Sequence, residues 1–301
     1  MNQPAAEQHP AGAVRLGCPV WACSGWVGSL YRSGAARDKW LGQYSEVFGT
    51  VEGNSTFYGL PDTTTADRWA RSVQPGFRFC LKLPRIISHD LRLTNASRPL
   101  QDFLRIAEVL RSRGTLGPTF IQLPPDFSAA EKNSLQRFLE ILPAEFPWSV
   151  EVRHPDWFDK AANEQWLVQL LSQQSIDFVL FDSRPLFSVP PTDQTEEQAA
   201  ARKPRTPLRT TVTGQHPFLR LICRNRLSES QQWIREWAEI ISGWLQQGLQ
   251  PYVFTHSPDD QFAPLMADAI HRELHAICPE VPEPPEWPGR RLPPMSQGSL
   301  F

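Results

Sequence analysis

The stretch WSVEVR (148–153) decides the fold. Its apolar residues mark a buried strand, yet it closes on two ionisable groups, Glu151 and Arg153, which lie two positions apart and so share one face. Four other apolar runs behave the same way. EVFGTVEGNSTF (46–57) carries Glu52 and Asn54, FRFCLKL (77–83) carries Lys82, IDFVLFD (176–182) ends on Asp182, and FLRLICR (218–224) carries Arg220. A strand buried on both faces normally reads as a near-continuous apolar run. Ionisable groups supplied by many strand ends can meet only if the strands converge. That points to a single (β/α)8 TIM barrel of the α/β class, with its site at the C-terminal ends of the strands.

Working outward, LGCPVWA (16–22), PTFIQL (118–123) and PYVFTH (251–256) complete eight strands. Helical spacing separates them: Leu100, Phe103, Leu104, Ala107 and Leu110 make one stripe, and Trp233, Trp237, Ile240, Ile241 and Trp244 another. Strand and helix alternate throughout, which argues for a parallel sheet with helices outside it. Ser128-Ala-Ala-Glu131 and Ser228-Glu-Ser-Gln231 have the form of capping boxes, and Pro258 suits the first turn of the last helix.

The predicted organisation is a flexible start over 1–14, a barrel domain over 15–278 and a proline-rich, extended tail over 279–301. Inside the domain, 183–216 shows no apolar period, and six prolines lie in or beside it. Basic residues gather there at Arg202, Lys203, Arg205 and Arg209. A connection of that length leaving the sixth strand reads as a mobile lid over the site.

Composition narrows the class. The chain has 301 residues, 41% hydrophobic and 21% charged, with a net charge of −2. No whole-molecule field draws it to nucleic acid or to an anionic membrane, so any anion site is local. No run approaches the ~20 apolar residues of a membrane span, and the N-terminus lacks the pattern of a secretory signal. Five cysteines in mostly apolar runs read as reduced packing residues of a cytoplasmic protein.

VEGNSTFYGLP (51–61), FRFCLKLPRIISH (77–89), VEVRHPDWF (150–158), LFDSRP (180–185) and FTHSPDD (254–260) together resemble the YecE-like family, catalogued as a TIM-barrel domain of unknown function. The resemblance runs in order from about residue 16 to the C-terminus. It implies the barrel and one shared pocket, and no reaction. The chain departs from the family pattern at Ile222-Cys223, where a His-Gly pair is usual, which counts against any mechanism using a histidine from the seventh strand.

Glu52, Glu151 and Asp182 are the expected general acids and bases, with His89 and His256 as proton carriers near neutrality. Asn54, Tyr58, Lys82, Arg153 and Arg220 are the expected substrate-binding residues, since guanidinium groups suit carboxylate or phosphate oxygens. A structural ion network plugging the strand ends is the plainer alternative. The acidic and histidine side chains are also the types that hold a divalent metal such as zinc or manganese, although no local spacing supports one. His271 and His275 lie four apart on the last helix, away from the strand ends. There is no Gly-rich phosphate loop, HExxH or GxSxG.

The last five residues are QGSLF, and Gln297, Leu300 and Phe301 resemble the peptide by which bacterial replication and repair proteins dock on the sliding clamp. The expected function is therefore an acid–base enzyme of hydrolase or lyase type. Its substrate would be anionic or phosphorylated, including nucleic-acid-derived molecules, and the clamp would be a partner. A non-catalytic anion-binding adaptor, and a small-molecule isomerase or hydrolase unconnected with DNA, are the other readings.

Overall fold

A computed structural model describes residues 14–291. Eight parallel strands follow in chain order: β1 (Arg15–Gly17), β2 (Thr50–Gly53), β3 (Arg78–Leu81), β4 (Thr119–Gln122), β5 (Trp148–Glu151), β6 (Asp177–Asp182), β7 (Phe218–Ile222) and β8 (Tyr252–His256). Helices intervene: α1 (Trp40–Ser45), α2 (Ser55–Tyr58), α3 (Thr63–Ser72), α4 (Ser97–Ser112), α5 (Lys132–Glu140), α6 (Ala162–Gln173), α7 (Gln194–Arg202), α8 (Gln231–Gln246) and α9 (Ala263–Ile277).

The α/β class holds, but the closed eight-stranded barrel does not. Hydrogen-bonded ladders join six strands in the order β1-β8-β7-β6-β5-β4, a half-barrel, while β2 and β3 form a separate pair. Two local features interrupt the ring. Between β1 and β2 the Tyr44 hydroxyl takes the place of a rung, accepting from the Cys18 N–H at 2.7 Å and donating to the Thr50 carbonyl at 3.0 Å. Between β3 and β4 stands Pro118. The Phe120 carbonyl, two residues on, faces β3 and accepts from the Leu83 N–H, so the N–H that would extend this ladder is the one proline lacks. Tyr44→Phe strands a buried amide and a buried carbonyl. It is expected to cost about 1–3 kcal/mol in a denaturant melt, and a loss below about 0.5 kcal/mol would show that the hydroxyl is not a structural rung.

Within the strands' concave side, Cys80, Phe120, Val179, Phe218, Tyr252 and Phe254 pack as one buried cluster. The larger core lies between strands and helices and takes in Leu100, Phe103, Ala107, Leu110, Trp237, Ile241 and Trp244 of the two predicted stripes. Trp233 and Ile240 stay outside the fully buried set.

The predicted helix starts differ in how far they hold. Ser128 caps a short turn at Ala130 that leads into α5. Before α8, Ser230 stands at the N-cap and its hydroxyl instead accepts from the Arg224 N–H. Pro258 precedes α9, whose first turn holds Pro264.

The connection after β6 and the described part of the tail both make buried contacts. The 183–216 connection contains α7, capped by Asp193 at the Glu196 N–H. Glu196 is buried and pairs with the fully buried Arg224, which also donates to the carbonyls of Val189 and Pro190. The helix has no apolar stripe because an ion pair, not a hydrophobic face, anchors it. The tail as far as Arg291 lies against the body. Val281 and Trp287 are buried, and the carbonyls of Pro282 and Val281 meet His271 and His275. Gly289 passes so close to the chain that a Cβ there would stand 2.3 Å from the Ser29 carbonyl oxygen.

Candidate functional site

Six of the predicted site residues meet at the C-terminal ends of the strands. Arg220 on β7 is the hub. Its Nε and Nη2 bind both oxygens of Glu52 at 2.8 and 2.7 Å, and its Nη1 binds Glu151 at 2.5 Å. Glu151 also accepts from Arg153 Nε at 2.7 Å. Asn54 and His256 complete the shell of Glu52 at 2.6 and 3.2 Å. Alternation explains the convergence: Glu52, Glu151 with Arg153, Arg220 and His256 each occupy the inward register of their strand or its direct extension.

Lys82 joins through Gln122, an uncharged residue that a search for strand-end charges passes over. The Gln122 amide oxygen accepts from Lys82 Nζ at 3.1 Å and from Arg153 Nη2 at 2.8 Å, with Arg220 Nη1 at 3.5 Å. Gln122 ends β4 two residues after the inward Phe120, so side-chain alternation is the signal that points to it. Lys203 stands out in the sequence only as part of a charge run. The connection after β6 carries it to the pocket wall.

Asp182 is a correction. Val179 and Phe181 point inward on β6, so Asp182 faces outward, where Trp237 Nε1 donates to it at 2.8 Å and Arg184 holds it with its backbone N–H, Nε and Nη2. Its place is structural, between sheet and α8. His89 lies in the turn Ile86–Asp90 with its ring against Phe57, and lines the pocket. Tyr58 is 83% exposed and stands at the rim. Trp26 is buried and donates to backbone carbonyls of the loop before α9. Gln297, Leu300 and Phe301 lie outside the described residues.

The electrostatics separate the groups into two kinds. Burial pushes Glu52 and Glu151 toward neutrality, but the Arg220 guanidinium overrides it. Glu52 is held well below the usual carboxylate range and Glu151 at about 2. Both stay ionised, with their charge spent on arginines. Lys82 is pushed down to about 7, first by burial and then by Arg220. The same two causes bring Lys203 down to about 8. Burial lowers His256 and His89 to about 4, against the pull of Glu52 on His256.

Lys82, His89, Arg153, Lys203, Arg220 and His256 line a cavity of about 620 Å³. A larger one, about 880 Å³, opens at the opposite ends of the strands beside Arg15, Phe146 and His216. Its volume is greater, but it lacks a convergent network of strand-end charges, so the smaller cavity is the candidate site. Among the described residues no group of three or more His, Cys, Asp or Glu side chains is placed to hold a metal ion. The acid and histidine candidates for such a set are divided between the Arg220 network, the outer face of β6 and the His89 turn. None of the five cysteines is in a disulfide. No helix among the described residues is long and apolar enough to cross a membrane.

Residues 15–289 match the family described as "Protein of unknown function DUF72". The chain belongs to the DUF72 family. It is 33% identical to the UPF0759 protein YecE of Escherichia coli (strain K12) over 288 residues, covering 96% of this chain and 100% of that protein. The same figures hold for the protein of that name in Escherichia coli O157:H7. The YecE-like resemblance read from the five motifs is thereby established. Two solved DUF72 proteins share the fold. One from Enterococcus faecalis V583 superposes with a TM-score of 0.66 at 15% identity, covering 87% of this chain and 95% of its own. One from Thermotoga maritima MSB8 gives 0.65 at 20% identity, covering 87% and 99%. At those identities the likeness speaks for the fold of this DUF72 protein and for nothing further.

Proposed function

We propose that this DUF72 protein is an enzyme that seats an anionic small molecule at the C-terminal strand ends and carries out acid–base chemistry on it. The observation that carries the reading is the division of charge. Arg220 and Arg153 together balance the two buried glutamates, which leaves Lys82 and Lys203 as the uncompensated cations facing the cavity. Arg153 spends Nε on Glu151 and Nη2 on Gln122, and its Nη1 has no protein partner among the described residues. A phosphate or carboxylate oxygen suits that position. Proton transfer then falls to the lysines, whose lowered pKa values lie close to neutrality, rather than to Glu52 and Glu151. Phosphorylated sugars and nucleotides both carry the required group.

The test is calorimetric titration with inorganic phosphate, phosphorylated sugars and nucleotides, followed by chromatography for products. Binding is expected to weaken about tenfold, roughly 1.4 kcal/mol, in Arg153→Ala. No heat from any anion would remove the reading. Binding without turnover across the panel would favour the anion-binding adaptor.

Recruitment to a sliding clamp through Gln297, Leu300 and Phe301 is proposed from sequence alone. Micromolar affinity for a bacterial clamp, lost on deleting 297–301, is expected. Equal binding by the intact and shortened proteins, or none by either, would reject it.

A further inference from the structure

We infer that Lys82 is a nucleophile that forms an imine with an anionic aldehyde or ketone whose charged group is seated by Arg153. The inference deepens the proposed function and rests on it, by naming the carbonyl as the reacting group of the substrate.

Lys82 is placed unlike any exposed lysine of the chain. Its side chain is 8% exposed, at the end of β3, and it faces the cavity. No carboxylate among the described residues lies within ion-pair distance of Nζ. Among the described residues the one hydrogen bond of Nζ goes to the Gln122 amide oxygen, and the Phe57 ring centre lies 3.9 Å away. The amide oxygen accepts from a neutral amine as it does from an ammonium, whereas a carboxylate would lock the charge in place; the Phe57 face favours the ammonium, and burial works against it. The backbone beneath is fixed, because Thr56 Oγ1 donates to the Lys82 carbonyl at 2.6 Å and the Lys82 N–H donates to Gly53. The amine is thus held, desolvated, and aimed at a cavity whose other cations are suited to an anion. Its lowered pKa, about 7, adds that a large share of it is unprotonated near neutral pH.

The chemistry balances without an added cofactor. The neutral amine forms a C–N bond at the carbonyl carbon, the C=O π pair moves to oxygen, and an amine proton passes to that oxygen. Protonation of the resulting hydroxyl by solvent expels water and leaves a protonated imine. The net change consumes one proton and releases one water.

The test exposes the full chain near neutral pH, separately, to pyruvate, dihydroxyacetone phosphate and uncharged dihydroxyacetone. Sodium cyanoborohydride is present to deliver hydride to the imine carbon and make the adduct permanent. Intact-mass and peptide-mapping spectrometry are expected to show one adduct per chain, on Lys82. It should form about tenfold faster than on the exposed Lys39, Lys132 or Lys160. Lys82→Met should lose the adduct while keeping its circular dichroism. Inorganic phosphate should slow labelling by the two charged carbonyls.

Labelling spread evenly over all lysines, or confined to Lys203, overturns the inference. If phosphate still binds in the calorimeter in that case, the anion reading survives alone. Labelling of Lys82 by dihydroxyacetone as fast as by its phosphate, with no phosphate binding, would keep the nucleophile and reject the anion.

Discussion

Arg220→Met is expected to lose about 3–5 kcal/mol of stability, because it strips the partner from two carboxylates that are themselves fully buried. Glu52 would keep Asn54 and His256, and Glu151 would keep Arg153, so neither oxygen pair is wholly orphaned. What vanishes is the guanidinium that does most to keep Glu52 ionised and one of the two that keep Glu151 so. Arg220→Lys should recover only part of the loss, since one ammonium cannot reach both carboxylates in the forked geometry of a guanidinium. The triple change of Arg220→Met with Glu52→Gln and Glu151→Gln should be markedly more stable than Arg220→Met alone. Urea melts of the four proteins decide the matter. A single-variant loss below about 1 kcal/mol would mean that water enters and solvates the glutamates.

Acidification is expected to unfold the protein in two overlapping stages. Glu151 has an unfolded value of 4.5 and a folded value of about 2. Its contribution is complete above 4.5 and is lost as the pH falls toward 2, which amounts to roughly 3 kcal/mol. His256 moves from 6.5 to about 4 on folding. Its contribution is complete above 6.5 and drains away as the pH falls toward 4, because the unfolded chain takes up the proton first. His89 acts over the same range. Asp177 and Asp260, raised by burial, work in the opposite sense and offset part of the loss. Thermal melts between neutrality and strong acid should therefore show the midpoint falling well before the carboxylates titrate. His256→Asn together with His89→Asn should flatten the upper stage and leave the lower one. An unchanged upper stage in that double variant would count against the burial of these histidines as its cause.

Much of the site is legible in the amino-acid sequence. Apolar runs locate all eight strands, because strand burial is written locally in hydrophobicity. Alternation within each run places Glu52, Glu151, Arg153, Lys82, Arg220 and His256 on the inward side. The same alternation reaches Gln122, which a reading guided by charge leaves out. Asp182 misleads because a terminal charge draws more weight than register: Phe181 takes the inward position, so its neighbour must face out.

What the tertiary structure alone decided involves partners distant in the chain. Lys203 reaches the pocket only because Arg224 and Glu196 pin α7 across it. The sheet divides into six strands and two because one tyrosine hydroxyl and one proline sit at the two seams, and neither can be recognised until the strands are laid side by side. Gly289 binds the tail through close contact with Ser29 and Tyr31, far earlier in the chain. Hydrophobic period and side-chain alternation are properties of a segment, so the strands and the face each charge takes follow from local sequence. Closure, docking and the pairing of charges are properties of two segments at once, and only their meeting in space determines them.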